Sequence, residues 1–154
     1  MILYVDTSAL VKRYIAELGT AEVTQAIAGA EVVGTSIIAR AEMAAALAKA
    51  VRMSVLARDA ADAALQVFRS EWPRLVRVQA TEMLVARADA LAWEWGLRGY
   101  DAVHLASAML WREGMDEDVA LATFDRRLWE VAGQCGLGVF PNDLPVLLAA
   151  RQKQ

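Results

Sequence analysis

The chain has 154 residues, a formal net charge of −3 at pH 7 and 57% hydrophobic residues. This length and apolar content predict a single domain over residues 1–150, followed by a short polar tail at residues 151–154. The acidic balance argues against nucleic-acid binding through a broad basic surface, although clustered acids that hold divalent cations stay compatible with nuclease chemistry. Charge breaks every apolar stretch before about 18 residues, no signal peptide is evident, and Cys135 is the single cysteine. We therefore expect a cytoplasmic protein without a membrane span.

Strand-like and helix-like segments alternate along the chain. The apolar runs predict strands at 2–5, 32–34, 75–78, 119–123 and 137–140. The segments between them predict helices at 8–16, 20–28, 36–52, 54–71, 81–96, 100–112 and 126–132. The expected helix N-caps are Ser8, Ser36, Ser54 and Thr81. This order predicts a three-layer α/β/α fold around a central, mostly parallel, twisted sheet of about five strands.

Three aspartates stand at the points where a strand or loop gives way to a helix. Asp6 and Asp125 follow predicted strands, so both belong at the carboxyl edge of a parallel sheet, where ligands bind in α/β folds. Asp101 begins a helix that is apolar nearly all round and is therefore expected to be buried. Each aspartate on its own is equally well explained as a helix N-cap. Several carboxylates at one edge would repel each other, and a divalent cation would remove that repulsion.

Glu42 and His104 have ordinary structural interpretations. Glu42 lies opposite the apolar stripe that includes Met43 and Leu47, and this pattern alone indicates a solvated surface residue. His104 is the only histidine and sits inside the apolar helix that follows Asp101. That position favours a core residue with a hydrogen-bonded ring over a metal ligand.

Four ordered segments resemble the PIN-domain nucleases, in particular the VapC-type toxins of bacterial toxin–antitoxin pairs. The segments are DTSALVK at 6–12, residues 36–48 around Ala41-Glu42-Met43, LRGYDAVHLASA at 97–108 and ATFDRRL at 122–128. Each motif alone is weak, but their order and spacing hold over nearly the whole chain. One departure is that no further acid follows Asp125 within its motif, so a ligand that some relatives carry there is not expected.

The resemblance implies a single PIN-like nuclease domain that hydrolyses RNA with Mg²⁺ or Mn²⁺. It implies that Asp6, Asp101 and Asp125 hold the metal, with Glu42 contributing directly or through water. Supporting roles are then expected for a group of nearby polar residues: Thr7, Ser8 and Thr123 as orienting groups, and Arg98 and Arg126 as phosphate contacts.

The resemblance also implies partners. They are the RNA substrate, a cognate VapB-type antitoxin and a second copy of the chain in a homodimer. The alanine-rich helices of residues 20–71 offer a groove for an amphipathic antitoxin segment.

Three alternatives stay open. The first is a housekeeping PIN-domain nuclease for RNA processing or repair. The second is a phosphatase of the haloacid dehalogenase type, which normally needs an acid two residues after the first, where this chain has Ser8. The third is a non-catalytic PIN-like binding module, against which the retention of four mutually repelling acids argues.

Overall fold

The fold is seen in a computed structural model that describes residues 1–150. Five parallel strands form one sheet in the order β3-β2-β1-β4-β5. The strands are β1 (Ile2–Val5), β2 (Val32–Ser36), β3 (Val76–Val78), β4 (Val119–Ala122) and β5 (Gly138–Phe140). The α-helices are α1 (Thr7–Leu10), α2 (Thr20–Gly29), α3 (Ala39–Arg52), α4 (Arg58–Glu71), α5 (Glu82–Trp95), α6 (Gly99–Met115), α7 (Arg126–Gln134) and α8 (Leu144–Ala150). The α/β/α prediction is confirmed, and the predicted tail at 151–154 lies outside the described residues.

The central strand β1 is covered on both faces. Its side chains alternate, so that Ile2 and Tyr4 pack with α5, α6 and α7, whereas Leu3 and Val5 pack with α1 to α4. All four side chains are buried. A strand buried on both faces reads as a continuous apolar run, which is why the sequence ILYV predicts it well.

The strand order reverses beside β1. The chain runs outward from β1 to β2 and β3, and then returns to the other side of β1 for β4 and β5. Val5 pairs with Ala122, and the Asp6 amide donates to the Ala122 carbonyl at 3.1 Å. Asp6 and Thr123 are therefore neighbours at the switch point, which is the preferred ligand site of parallel α/β sheets.

Helix α6 lies close against β2. A Cβ atom at Gly34 would come within 2.6 Å of the Trp111 ring, so only glycine permits this approach. Trp111 also meets the Tyr4 ring edge-on, with ring centroids 6.4 Å apart. This packing fixes the helix that carries Asp101 and His104 against the sheet.

Three predicted helix caps are wrong. Asp6, not Ser8, caps α1, because its Oδ1 accepts the Ala9 amide at 2.9 Å. Ser36 is the buried last residue of β2, where its backbone is committed to the sheet, and α3 begins only at residue 39. Ser54 has a φ of +56° in the turn after α3, a left-handed conformation that closes a helix and cannot begin one.

The predicted ends of α5 are confirmed, whereas the first predicted helix is shorter and one helix is not predicted. Thr81 caps α5 by accepting the Leu84 amide at 3.2 Å, and Gly96 ends it with a φ of +64°. The predicted helix at 8–16 is a short α1 followed by a 3₁₀ turn at 11–13. Helix α8 was not predicted, although Asp143 caps it and a proline stands in its first turn. Within residues 1–150, no helix is long and apolar enough to cross a membrane.

Candidate active site

All four predicted acids line one cleft at the carboxyl edge of the sheet. The cleft has a volume of about 250 Å³ and an apolar rim at Phe124. It is built from the ends of β1 and β4 and from the first turns of α1, α3, α6 and α7. Its polar lining consists of Asp6, Thr7, Ser8, Glu42, Arg98, Asp101, His104 and Asp125. Residues separated by up to 119 positions in the chain therefore meet in one place.

Asp6 is fixed by three hydrogen-bond donors. Its side chain is 3% exposed. Oδ1 accepts from the Ser8 hydroxyl at 2.7 Å and the Ala9 amide at 2.9 Å, and Oδ2 accepts from the Thr123 hydroxyl at 2.6 Å. Burial raises the pKa of Asp6, whereas the charge of His104 and these three hydrogen bonds oppose the rise. The donors hold both oxygens in one orientation, which is how a metal-ligating carboxylate is positioned.

The sequence pattern alone indicates that Glu42 is a solvated surface residue, and this interpretation is wrong. Its Oε1 accepts from the Thr7 hydroxyl at 2.8 Å and lies 2.6 Å from Nε2 of His104. The hydroxyl of Tyr4 lies 2.8 Å from Nδ1 of the same ring. Because a carboxylate accepts only, Nε2 of the imidazole donates to Glu42, while Nδ1 is hydrogen-bonded to the Tyr4 hydroxyl. A chain of hydrogen bonds thus runs from the buried core to Glu42.

The pKa of Glu42 reflects this chain. Burial alone would raise the pKa of the half-buried carboxyl, but the hydrogen bonds from His104 and Thr7, together with the charges of His104 and Arg98, outweigh burial and lower it. Glu42 therefore faces the cleft as a carboxylate at neutral pH.

Arg98 bridges the other two acids. Its Nε donates to Asp101 Oδ2 at 2.8 Å, and a terminal nitrogen donates to Asp125 Oδ2 at 2.9 Å. Burial raises the pKa of Asp101, the Arg98 hydrogen bond lowers it, and the negative charge of Asp125 adds to the rise, so the net shift is upward. Asp125 also caps α7 by accepting the Leu128 amide at 2.8 Å. The capping and cleft-lining interpretations of Asp6 and Asp125 are thus both true.

The donor set suits a hard divalent cation, because the acids offer carboxylate oxygens and no thiolate. Among residues 1–150, however, no three acidic, histidine or cysteine side chains are grouped closely enough to hold a metal as they stand. The guanidinium of Arg98 lies between Asp101 and Asp125 and supplies the positive charge that separates them. Arg98 and a cation between these carboxylates would therefore be mutually exclusive.

The structure extends the predicted site at some positions and leaves one outside. Arg126 is not among the residues that line the cleft, and its Nε donates to Glu130 at 3.0 Å. Tyr4 and His104 were not predicted as site residues. The available signal is spacing, because His104 lies one helical turn after Asp101 and therefore on the same face of α6.

Further hollows lie outside the cleft. The space between α3 and α4, within the segment expected to bind an antitoxin, has a volume of about 70 Å³. A cavity of about 650 Å³ lies between α5 and α6 and opens beside the cleft.

Several known proteins are similar to this chain in sequence or in fold. A sequence profile of the PIN domain matches residues 3–134. Ribonuclease VapC45 of Mycobacterium tuberculosis (strain CDC 1551 / Oshkosh) is 34% identical over 143 residues, which cover 93% of this chain and 97% of that protein. Among solved structures, PAE2754 from Pyrobaculum aerophilum is similar with a TM-score of 0.64 at 23% identity, over 97% of this chain and 90% of that one. A chain in a toxin–antitoxin complex from Klebsiella pneumoniae is similar with a TM-score of 0.57 at 21% identity, over 81% and 87% of the two chains.

Proposed function

This chain belongs to the PIN-domain family and to its VapC-type ribonucleases, and from that premise we propose that it is a metal-dependent endoribonuclease, the toxin of a toxin–antitoxin pair. The observation that carries the proposal is the cleft at the strand switch point, which gathers all four acids at the carboxyl ends of β1 and β4. The 34% identity to a ribonuclease extends over nearly the full length of both chains, which supports RNA as the substrate.

Mg²⁺ or Mn²⁺ is the proposed cofactor. Asp6, Asp101 and Asp125 would hold it, and Glu42 would contribute directly or through water. A bound cation supplies a water of lowered pKa and a positive charge beside the attacked phosphate. The choice of a hard cation rests on the all-oxygen donor set of the cleft.

The remaining polar groups position the acids. Ser8 and Thr123 each donate to one oxygen of Asp6 and so fix the plane of its carboxylate. Thr7 and His104 both donate to Oε1 of Glu42, which leaves Oε2 for the cleft. These three hydroxyl groups and the imidazole are positioning residues, since each acts through an acid.

Arg98 has two successive roles in this proposal. In the structure it neutralises Asp101 and Asp125, with a side chain that is 77% exposed. If those carboxylates held a cation, the Arg98 guanidinium would be displaced from between them. Arg98 is then the cationic side chain at the mouth of the cleft that can pair with an RNA phosphate, for which its planar fork of donors is suited.

The proposed partners are a VapB-type antitoxin and a second copy of the chain. A structurally similar chain occurs in a toxin–antitoxin complex, which supports the first. Helix α5 leaves Met83 and Trp93 more than four-fifths exposed, and apolar side chains of this size commonly become buried in protein–protein contacts.

The proposal is tested by replacing single acids. Asp6→Asn and Asp101→Asn should abolish cleavage of RNA by the purified protein and relieve growth arrest when the chain is expressed. Asp59→Asn is the matched control, because Asp59 is an exposed acid of α4 outside the cleft. Chelation should abolish cleavage by the unmodified chain, and added Mg²⁺ or Mn²⁺ should restore it. Full activity of either cleft variant would overturn the proposal.

A further inference from the structure

The cavity between α5 and α6 is continuous with the acid cleft. We call it the α5–α6 groove. It has a volume of about 650 Å³, within the range of small-ligand sites, and its lining is largely apolar. Glu42, Arg98 and Asp101 line both this groove and the cleft. A ligand held at the acids therefore has direct access to the groove.

One wall of the groove is a face of α5. Val85, Ala88, Asp89 and Ala92 follow one another at helical spacing and line it together. Three of these side chains are apolar, and the fourth is an exposed carboxylate. Among residues 1–150, no salt bridge involves Asp89. The wall thus offers a flat apolar surface with one uncommitted hydrogen-bond acceptor.

The opposite wall of the groove is formed by the first turns of α6, next to the acid cleft. Tyr100 lines the groove, is 66% exposed, and stands between Arg98 and Asp101 in the sequence. In single-strand RNA recognition, unstacked bases commonly lie on exposed aromatic side chains, and the Tyr100 ring is available for such a contact beside Arg98 and Asp101.

Resting on the proposed endoribonuclease function, we propose that the α5–α6 groove binds one nucleobase of a single-stranded RNA, next to the phosphate that is cleaved. Tyr100 provides the stacking surface, and Val85, Ala88 and Ala92 form the apolar floor. Asp89 accepts a hydrogen bond from an exocyclic amino group of the base. The groove is then the part of the protein that selects where the RNA is cut.

The size of the groove favours a base over a protein segment. A stable protein–protein interface buries about 800 Å² on each partner, an area far larger than a single pocket of ligand size. Asp89 also favours a base over a protein helix. An apolar helix face in the groove would remove water from the Asp89 carboxylate without giving it a hydrogen-bond donor. An amino-bearing base, namely cytosine, adenine or guanine, satisfies it.

The test is the cleavage preference of purified variants on a pool of single-stranded RNA with randomised positions. The 5′ ends of the products are sequenced. Tyr100→Ala should lower kcat/KM on the preferred sequence about 5- to 140-fold, the equivalent of 1–3 kcal/mol per stacked base, and flatten the preference at one position. Tyr100→Phe should retain both rate and preference. Asp89→Asn should reduce the discrimination against uracil at that position by about tenfold or more. Val146→Ala is the control, because Val146 is an exposed apolar residue of α8 that lines neither the groove nor the cleft.

A second measurement separates this inference from the function on which it rests. A trinucleotide that contains 2-aminopurine should lose fluorescence when it binds the unmodified chain in chelator, and should lose much less with Tyr100→Ala. Binding without cleavage under activating conditions would refute the nuclease and leave the groove assignment intact. Unchanged cleavage preference and unchanged quenching in Tyr100→Ala would overturn the groove assignment. Loss of antitoxin binding in Tyr100→Ala with an unchanged cleavage preference would make the groove a protein-docking surface instead, which also overturns it.

Discussion

We expect the hydroxyl of Thr123 to stabilise the fold by a measurable amount, because it holds Asp6 in the cleft. Thr123 is fully buried, donates to Asp6 Oδ2 at 2.6 Å and accepts the Asp125 amide at 3.0 Å. Thr123→Ala removes this hydroxyl and a methyl group, whereas Thr123→Ser removes only the methyl. The difference between the two variants therefore isolates the hydroxyl. A hydrogen bond to a buried charge contributes about 1.5–3 kcal/mol. At about 2–4 °C per kcal/mol for a chain of this size, Thr123→Ala should unfold about 3–12 °C below Thr123→Ser.

The same pair of variants predicts a pH dependence. Thr123 donates to the charged form of Asp6, so it holds the pKa of Asp6 below the value that burial alone would give. Stability from a group whose pKa is held down is present above that pKa and is lost as the pH falls through it. The gap between the unfolding temperatures of the variants should thus be full above the raised pKa of Asp6 and shrink as the pH falls through it. Thermal unfolding followed by circular dichroism, with chelator present, measures it. Equal unfolding temperatures at neutral pH would refute this account of the cleft.

Two further predictions concern the core and the surface. Tyr4→Phe removes the hydroxyl that lies 2.8 Å from Nδ1 of the buried His104, and should lower the free energy of unfolding by about 1–3 kcal/mol. Urea unfolding measures this loss, and an unchanged midpoint would contradict the hydrogen-bond chain. Glu71→Gln breaks the two-pronged pair with Arg13, whose two nitrogens each lie 2.9 Å from a carboxylate oxygen. That pair lowers the pKa of Glu71, so the loss should be about 0.5–1 kcal/mol at pH 7 and disappear as the pH falls through the lowered pKa of Glu71. A loss that persists in stronger acid would contradict the assignment.

The sequence predicts the sheet and three of the acids because their signals are local. Asp6 and Asp125 directly follow or nearly follow buried strands, and Asp101 lies in the first turn of a buried helix. In a parallel sheet these positions share one edge, so the chain order alone brings them together. A local signal mispredicts a helix cap where the backbone belongs to another element. Ser36 is the last residue of β2 and therefore does not cap α3.

The environment of Glu42 and the position of Arg98 depend on contacts that span the chain. Glu42 meets His104 across 62 positions, and its carboxylate character follows from that contact, not from its own helix. Arg98 reaches Asp125 across 27 positions, so its role as a counter-ion is visible only in three dimensions. The family resemblance predicts that Glu42 and Arg98 belong to the site, whereas the structure shows the contacts that each of them makes there.

The most direct test of the metal-dependent cleft is a crystal soaked in Mn²⁺ and measured for anomalous scattering. We expect one peak or two neighbouring peaks among Asp6, Asp101 and Asp125, with Arg98 withdrawn from the two carboxylates that it bridges in this structure. The signal should be absent from a crystal of the Asp6→Asn variant soaked in the same way. The account would be contradicted if the chain cleaved RNA in a Mn²⁺-dependent manner while the anomalous signal showed no Mn²⁺ in this cleft.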